Sequence, residues 1–536
     1  MLNGPRFDFR ANQEYRMDAK DWESVADDPE AMMKTVQWFM ADHYKYQVPR
    51  ILTLERYYNG DNDILFWQSN KAPERADNRI PSGLPHYATD INTGYELGKP
   101  LTYGYSNPAN KDDAGQKILD LIDAVNSSND MSYHDKMLAK NIHNTGRAYE
   151  LMYVKPGTHD IAVRLIDPAN AFVVYDTTMA KHSLFGVYYY LVDYLDKQNF
   201  YCVVYTDKGS YYYKINSDPS GEMEFQEFEE HYFFDVPLTE VNLNDERMGL
   251  WERKLSTIDA IDKGNSEMAN SQEDYSNAML VINGDIKVPG DDDMLDDGAA
   301  DPDAPFDDLP LPPKEYIDTH SKILFLKPAE VDDGQGGVKT VPTSAEYLTK
   351  ELDATGWKMY MDHLIGDFHK ESYTPDMSDE QFSGNATGVS LSYKLLATDQ
   401  ERAIFETQFR RGVMRRLRLM SNYWSFISSL GEDEVGQANN VTITFNPNLP
   451  KVDSEIIANL TALSGMDAFS KQTIREKAAD FTGVSAEQEK KRTDDEEDEA
   501  VKRGLDMFMT NEATDQQKAG VADDNADDPT ADKPID

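Results

Sequence analysis

His134 and His143, nine residues apart with Asp130 and Asp135 nearby, are the nearest the sequence comes to a set of metal ligands. Zinc sites need closely spaced ligand pairs that converge on one point, and this scatter reads instead as surface or capping residues. A second candidate lies in residues 285–308, which hold ten Asp and one Lys among Pro and Gly. Asp293, Asp297 and Gly298 fit part of an EF-hand loop, but Leu295 stands at the third position and Ala304 where the bidentate glutamate belongs. The block reads as a solvated loop. Its alternative reading is a contact for a partner protein through Asp291, Asp292, Asp293, Asp296 and Asp297. There is no G-x-x-x-x-G-K-S/T phosphate loop, no H-E-x-x-H, no paired C-x-x-C and no G-x-S-x-G turn. Gly334-Gln335-Gly336-Gly337 lacks the spacing of a dinucleotide site and reads as a turn. With 97 carboxylates a glycosidase-like pair is always available and says little. No catalytic residue, no metal and no cofactor is predicted.

One basic cluster breaks an acidic trend: Arg410, Arg411, Arg415, Arg416 and Arg418. Arg411, Arg415 and Arg418 share a helix face by their four- and three-residue spacing. Ion pairing within or between subunits is one reading of them, and contact with DNA or a capsid is the other. The net charge of −44 argues against a protein that grips a duplex, since cationic surface supplies most non-specific DNA affinity. It leaves room for one past which DNA slides. Cys202 is the only cysteine, so no disulfide forms within the chain and a reducing site of assembly is expected. MLNGPRFDFR has no apolar leader, and the run Leu184 to Val192 is too short to span a bilayer. Neither export nor membrane insertion is predicted.

The elements that must position these residues are unusually long. No proline falls between Val389 and Leu430, and Leu391, Leu395, Phe405, Phe409, Val413, Leu417, Met420 and Trp424 keep helical steps, giving roughly 60 Å of helix. A second helix is predicted from Pro342, with Thr343 as N-cap and Glu346 completing a capping box. Met361, Leu364, Ile365 and Phe368 line it, and Pro375 ends it. Between these two lies the turn Ser383, Gly384, Asn385, Ala386, Thr387, Gly388. Upstream, 245–278 reads as another long helix whose stripe of Trp251, Leu255, Ile258, Met268 and Tyr275 is too thin to bury alone. Asn283-Gly284 between Met279–Asn283 and Ile286–Val288 predicts a hairpin, with a further strand at 323–326. Phe185 to Phe234 reads as an antiparallel meander rich in Tyr, Phe and Val, and Val441 to Phe445 as one more strand that could return to that body. An N-terminal helix carries Met33, Val36, Trp38, Phe39 and Met40. From Asp453 the pattern is helical again, and Glu487 to Asp536 is strongly acidic.

Helix, small β module, helix, tight turn and very long helix, in that order, resemble the portal proteins of long-tailed bacteriophages, most of all those of Bacillus siphophages. The stretches that carry the resemblance are LERYYNGDNDIL (54–65), NRIPSGLPHYATDINTGYELGKPLTY (78–103), HNTGRAYELMYV (143–154), VRLIDPANAFVVYD (163–176), GNATG (384–388) and ITFNPNLPKVDSEIIANLTALSGM (443–466). The resemblance implies an α+β portal fold: an N-terminal arm and helix (1–53), a wing (54–240), a stem helix (241–278), a clip (279–342) with an acidic insertion (285–313) and a second stem helix (343–372). It then implies a tunnel loop (373–388), a long helix returning to the wing (389–452), crown helices (453–510) and an acidic disordered tail (511–536). It also implies a ring, twelve-fold, at one capsid vertex, through which double-stranded DNA is packaged and ejected, with Ser383 to Gly388 facing the channel. The implied partners are terminase, which must bring its own ATPase, the major capsid and scaffolding proteins, and a head-completion adaptor. The implied location is the virion, with assembly in the host cytoplasm. A monomeric α+β hydrolase is the alternative of a different class.

Overall fold

A computed structural model describes residues 5–68, 76–105, 114–191, 199–216, 218–276, 279–283, 285–286, 326–327, 329–332, 338–341, 344–348, 353–377, 395–448, 453–465, 470–482, 484 and 489–502. The chain divides into two compact units, one of 1–93, 107–376 and 397–440, the other of 94–106, 377–396 and 441–536.

The larger unit is built on a six-stranded sheet. It begins with β1 (Tyr15–Met17), α1 (Ala19–Glu23), α2 (Pro29–Asp42) and α3 (Val48–Tyr58), and α4 (Leu84–Glu96) starts in it. Asp28 caps α2 by accepting from the amides of Glu30 and Ala31, and Pro29 occupies the first turn where its missing N–H is harmless. Met32, Val36, Phe39 and Met40 then fall on one stripe, which packs on the sheet against Phe172, Phe185 and Tyr213. Trp38 lies off that stripe and is 63% exposed, which corrects the predicted apolar face: two steps from Val36 is about 200° around the helix. β1 is itself a strand of this sheet, paired parallel to β5.

The next elements are β2 (Thr102–Tyr105), α5 (Ala114–Asn129), α6 (Met131–Thr145), β3 (Arg147–Val154), β4 (Ile161–Ile166) and β5 (Ala171–Asp176). β6 (Ser183–Leu191), β7 (Asn199–Tyr205), β8 (Gly209–Asn216) and β9 (Met223–Glu230) follow as the predicted antiparallel meander, and the sheet order is β1-β5-β6-β7-β8-β9. A second sheet, β10-β3-β4, adds β10 (Leu238–Asn242). Gly146 ends α6 with φ +80, and a Cβ there would stand 2.4 Å from the Arg247 carbonyl oxygen. Gly146→Ala meets both a left-handed backbone and a backbone clash, so it is expected to lower unfolding stability by about 2 kcal/mol or more, read as a shifted denaturant midpoint at unchanged slope.

α7 (Leu255–Ser276) follows a short 3-10 turn at Glu252–Lys254, so the predicted helix begins ten residues later than its apolar pattern suggests. The residues before it are bent by Arg247 at φ +57. Short strands come next: β11 (Met279–Asn283), β12 (Asp285–Ile286), β13 (Leu326–Lys327), β14 (Ala329–Asp332), β15 (Val338–Val341) and β16 (Ser344–Leu348). Two expectations fail here. β11 pairs with β16 and β12 with β13, so the strands on either side of Gly284 do not form the hairpin expected of them. Ser344–Leu348 is strand, so Thr343 and Glu346 do not open a helix; α8 (Ala354–Glu371) starts at Asp353, whose carboxylate accepts from the Gly356 amide.

α9 (Leu396–Phe426) buries Phe405, Phe409, Val413, Leu417, Met420 and Trp424 on the predicted stripe over 31 residues. It reaches β10 closely through Gly412, where a Cβ would lie 2.5 Å from Val241 Cγ2. In the smaller unit, β17 (Val441–Thr444) pairs antiparallel with β2, so the predicted strand joins neither large sheet. α10 (Asp453–Ser464) and α11 (Lys471–Thr482) pack together, and 489–502 is helical.

Candidate functional site

The residues predicted to face a channel, Ser383 to Gly388, and the carboxylates Asp291, Asp292, Asp293, Asp296 and Asp297 lie outside the described residues. The structure does show how the helices around the first of these segments are anchored. Tyr373, at φ +52 just past α8, gives its carbonyl to Thr398 Oγ1 of α9 at 2.8 Å. Asn92 Nδ2 donates to Thr374 Oγ1 at 2.8 Å and Tyr87 Oη to the Pro375 carbonyl at 2.9 Å. The end of α8 and the first turn of α9 are thus fastened to each other, and the end of α8 to α4.

α7 is held by a polar stripe. Asp262, Ser266 and Asn270 recur every fourth residue and are buried, although charged and amide side chains seldom are. They accept from the backbone amides of Ser82 (2.7 Å), Ile80 (2.9 Å) and Asn78 (2.5 Å). One helical turn advances about 5.4 Å and two extended residues about 6.6 Å, so the two ladders stay nearly in step. An extended strap, including the Arg79-Ile80-Pro81-Ser82 stretch, is thereby laid antiparallel along α7. Asn62 Nδ2 completes the Asp262 site at 2.6 Å, and burial raises the pKa of this carboxyl despite those bonds. α8 lies against α7 with Trp357 Nε1 donating to the Gly264 carbonyl at 3.2 Å and Met361 packed where Gly264 has no side chain.

Where these helices meet the body, the core is charged. Arg50 of α3 donates to Glu252 through Nε at 2.7 Å and through Nη2, and also to the carbonyls of Thr145 (2.9 Å) and Arg247 (3.1 Å). Arg247 reaches Glu240 at 2.8 Å and the Gln13 carbonyl at 2.7 Å. Arg147 donates to Gln47 Oε1 at 2.7 Å, and burial together with the nearby Arg247 charge brings its pKa down to about 10. On α9, Arg416 grips Glu150 through Nε (3.1 Å) and Nη2 (2.6 Å) and Asp135 through Nη2 (2.8 Å). Burial alone would raise the Asp135 carboxyl, but Arg416 and His134 outweigh it and hold its pKa below 3.8.

The arginine cluster therefore divides. Arg415 binds the Ser183 hydroxyl (2.7 Å), Asp235 (3.1 Å) and the Val236 carbonyl (2.9 Å) within its own chain. Arg411 is exposed and donates to Gln408 at 3.1 Å, and Arg418 is exposed. Ion pairing within the subunit accounts for Arg415 and Arg416, the latter absent from the predicted face. The histidines predicted at the surface are buried: His134 lies 3.5 Å from Asp135 and 3.8 Å from Glu150, and His143 stacks on Phe405 with ring centroids 5.1 Å apart. Among the described residues no group of three or more His, Cys, Asp or Glu side chains is placed to hold a metal, and no helix is long and apolar enough to cross a membrane.

Residues 39–503 match the family model described as phage portal protein, SPP1 Gp6-like. No curated protein matches the sequence. Among solved structures, a chain from the neck of a native GTA particle computed with C12 symmetry aligns at 10% identity and TM-score 0.41, over 79% of this chain and 92% of that one. A chain from the virion of a native gene transfer agent particle gives 9% and 0.37 over 79% and 92%, and one from the neck of an empty GTA particle computed with C6 symmetry gives 10% and 0.36 over 74% and 89%. Likenesses this loose carry no conclusion by themselves.

Proposed function

Since the chain belongs to the SPP1 Gp6-like phage portal protein family and is a portal protein of a phage-like head, we propose that its copies close into a ring, twelve-fold, at one capsid vertex, and that double-stranded DNA enters and leaves through the ring. The observation that supports assembly is the poor self-burial of α8. Of its apolar side chains only Met361 and Phe368 are buried, while Met359 is 70% and Tyr360 51% exposed. Apolar residues left outside on a helix call for a second surface, and in a ring a neighbouring copy supplies it through a heterologous contact that closes by rotation. In this reading α7 and α8 are the stem, the short strands between them the clip, the two sheets the wing, and the helices after Asp453 the crown.

Terminase, the scaffolding and major capsid proteins and a head-completion adaptor are the partners such a ring engages, with the acidic residues Asp291 to Asp297 offered to one of them. The sequence stretches further support the Bacillus siphophage type. The protein works in the virion after assembly in the host cytoplasm, and has no turnover of its own. The hydrolase alternative gains nothing from the family match. Light scattering on the purified protein tests the assembly. A mass many times the 60.9 kDa of one chain, with a central hole in electron micrographs, is expected. A stable monomer or dimer at micromolar concentration under assembly conditions would refute it.

A further inference from the structure

β9 ends the six-stranded sheet, and no described strand pairs with its outer side. Its sequence, Met223-Glu-Phe-Gln-Glu-Phe-Glu-Glu230, is exposed at every position after the first. A register shift places Phe225 opposite Tyr213 and Glu227 opposite Tyr212, so Gln226 is the extra residue of a bulge. The bulge lets Phe225 and Phe228, three apart, lie on the same face, against Tyr213 and Tyr211. Glu224, Glu227 and Glu229 take the other face. From Met223 to Asp235 there are five carboxylates and no Lys or Arg. Of these, Asp235 is neutralised by Arg415.

The strand runs into a presented aromatic group. Tyr232 stacks on Phe426 with centroids 4.0 Å apart and planes 6° from parallel, and its hydroxyl reaches Glu230 at 3.4 Å. Phe234 is 61% exposed at φ +54, a conformation that disfavours a bulky side chain. The bend is clamped from behind: Asn422 donates to the Phe233 carbonyl at 2.9 Å, Arg415 to that of Val236, and buried Phe233 packs on Tyr423. Strain held this firmly, with the side chain left outside, fits a group kept ready for contact.

We propose that the outer edge of β9 and the Tyr232–Phe234–Phe426 group form a docking surface for a basic extended segment of another protein, added as a further strand. Edge glutamates alone would serve to discourage pairing between copies. They do so here, since two such edges would bring four carboxylates against four, and the same charge welcomes a strand carrying Lys or Arg. The two faces define its pattern: cations opposite Glu227 and Glu229, apolar residues opposite Phe228, and an apolar end resting on Phe234. Main-chain bonds supply the affinity and the alternation supplies the choice.

The test uses the full-length assembled protein with a fluorescein-labelled octapeptide of alternating lysine and valine. The comparators are a block peptide of four lysines then four valines, and an alternating glutamate and valine peptide. The alternating cationic peptide is expected to bind at least tenfold tighter than either and to slow amide exchange at 227–230. Glu227→Lys with Glu229→Lys should weaken it at least tenfold. Phe234→Gly, which relieves the backbone strain and so leaves the fold intact, should also weaken it. Equal binding of the block peptide, unchanged exchange at β9, full binding by the charge-reversed variant, or β9 amides already protected by a second copy would each overturn the proposal.

Discussion

Arg416→Met is expected to destabilise the protein by about 3–5 kcal/mol at neutral pH, because it leaves two buried carboxylates facing each other without their cation. Asp135 and Glu150 are both within hydrogen-bond reach of Arg416 and nearly inaccessible to water, and among the described residues His134 also approaches both carboxylates. The pH dependence separates this cause from a simple loss of packing. In the parent the Asp135 pKa is depressed, so its contribution is present above about pH 4 and is lost as pH falls through the unfolded value of 3.8 toward the lower folded one. In the variant, burial no longer offset by Arg416 raises the Asp135 pKa, so acid stabilises the variant while it weakens the parent. Denaturant melts at pH 7 and pH 4 should therefore show the gap closing. Arg411→Met, at an exposed position on the same helix, should change neither melt by more than about 0.5 kcal/mol.

That Arg416 is structural was legible in part. It lies seven residues after Phe409 and four before Met420, in phase with the apolar stripe, and an arginine on that stripe must be paired or the helix would not seat. The face drawn through Arg411, Arg415 and Arg418 follows charge alone and misses it. α9 and the β6–β9 meander were readable because their periods are uninterrupted and local. The two misread segments failed for one reason. Asn283-Gly284 and the Thr343/Glu346 pair are sound local signals, but β11 finds its partner at Ser344–Leu348, some sixty residues on, and that long-range pairing overrides both. The strap on α7 left a different trace: Asp262, Ser266 and Asn270 are polar at fourfold spacing, as an exposed helix face would be. Only the extended segment carrying Pro81 reveals that the face is covered, by backbone amides rather than side chains.

Placing lysine at both Asn385 and Thr387 is expected to slow or halt DNA packaging while leaving the ring intact. Tyr373 and Thr398 join the helices on either side, and α9 is seated by its apolar stripe and by Arg416, so the fold of each copy is held by contacts outside Ser383 to Gly388, and under the proposed function the ring is expected to form without them. The native residues there are two glycines, an alanine, a serine, an asparagine and a threonine, none of them charged and none large. If this segment faces the channel, as the proposed function has it, residues of these types would give a passing phosphate backbone nothing to hold. Two added lysines on each copy would, around a closed ring, place a band of cations along the DNA path. Each phosphate contact adds about one unit to the slope of log affinity against log salt, so the arrest should ease steeply as salt is raised. Valine at Gly384 and Gly388 should also impair packaging, by restricting the backbone, but without that salt dependence. Packaging assays across a salt series, beside micrographs of the same rings, distinguish the outcomes. Parental packaging by the lysine variant means this segment does not meet DNA. Failure of the rings to form means the segment belongs to the assembly contacts instead, and the channel surface must be sought elsewhere on the chain.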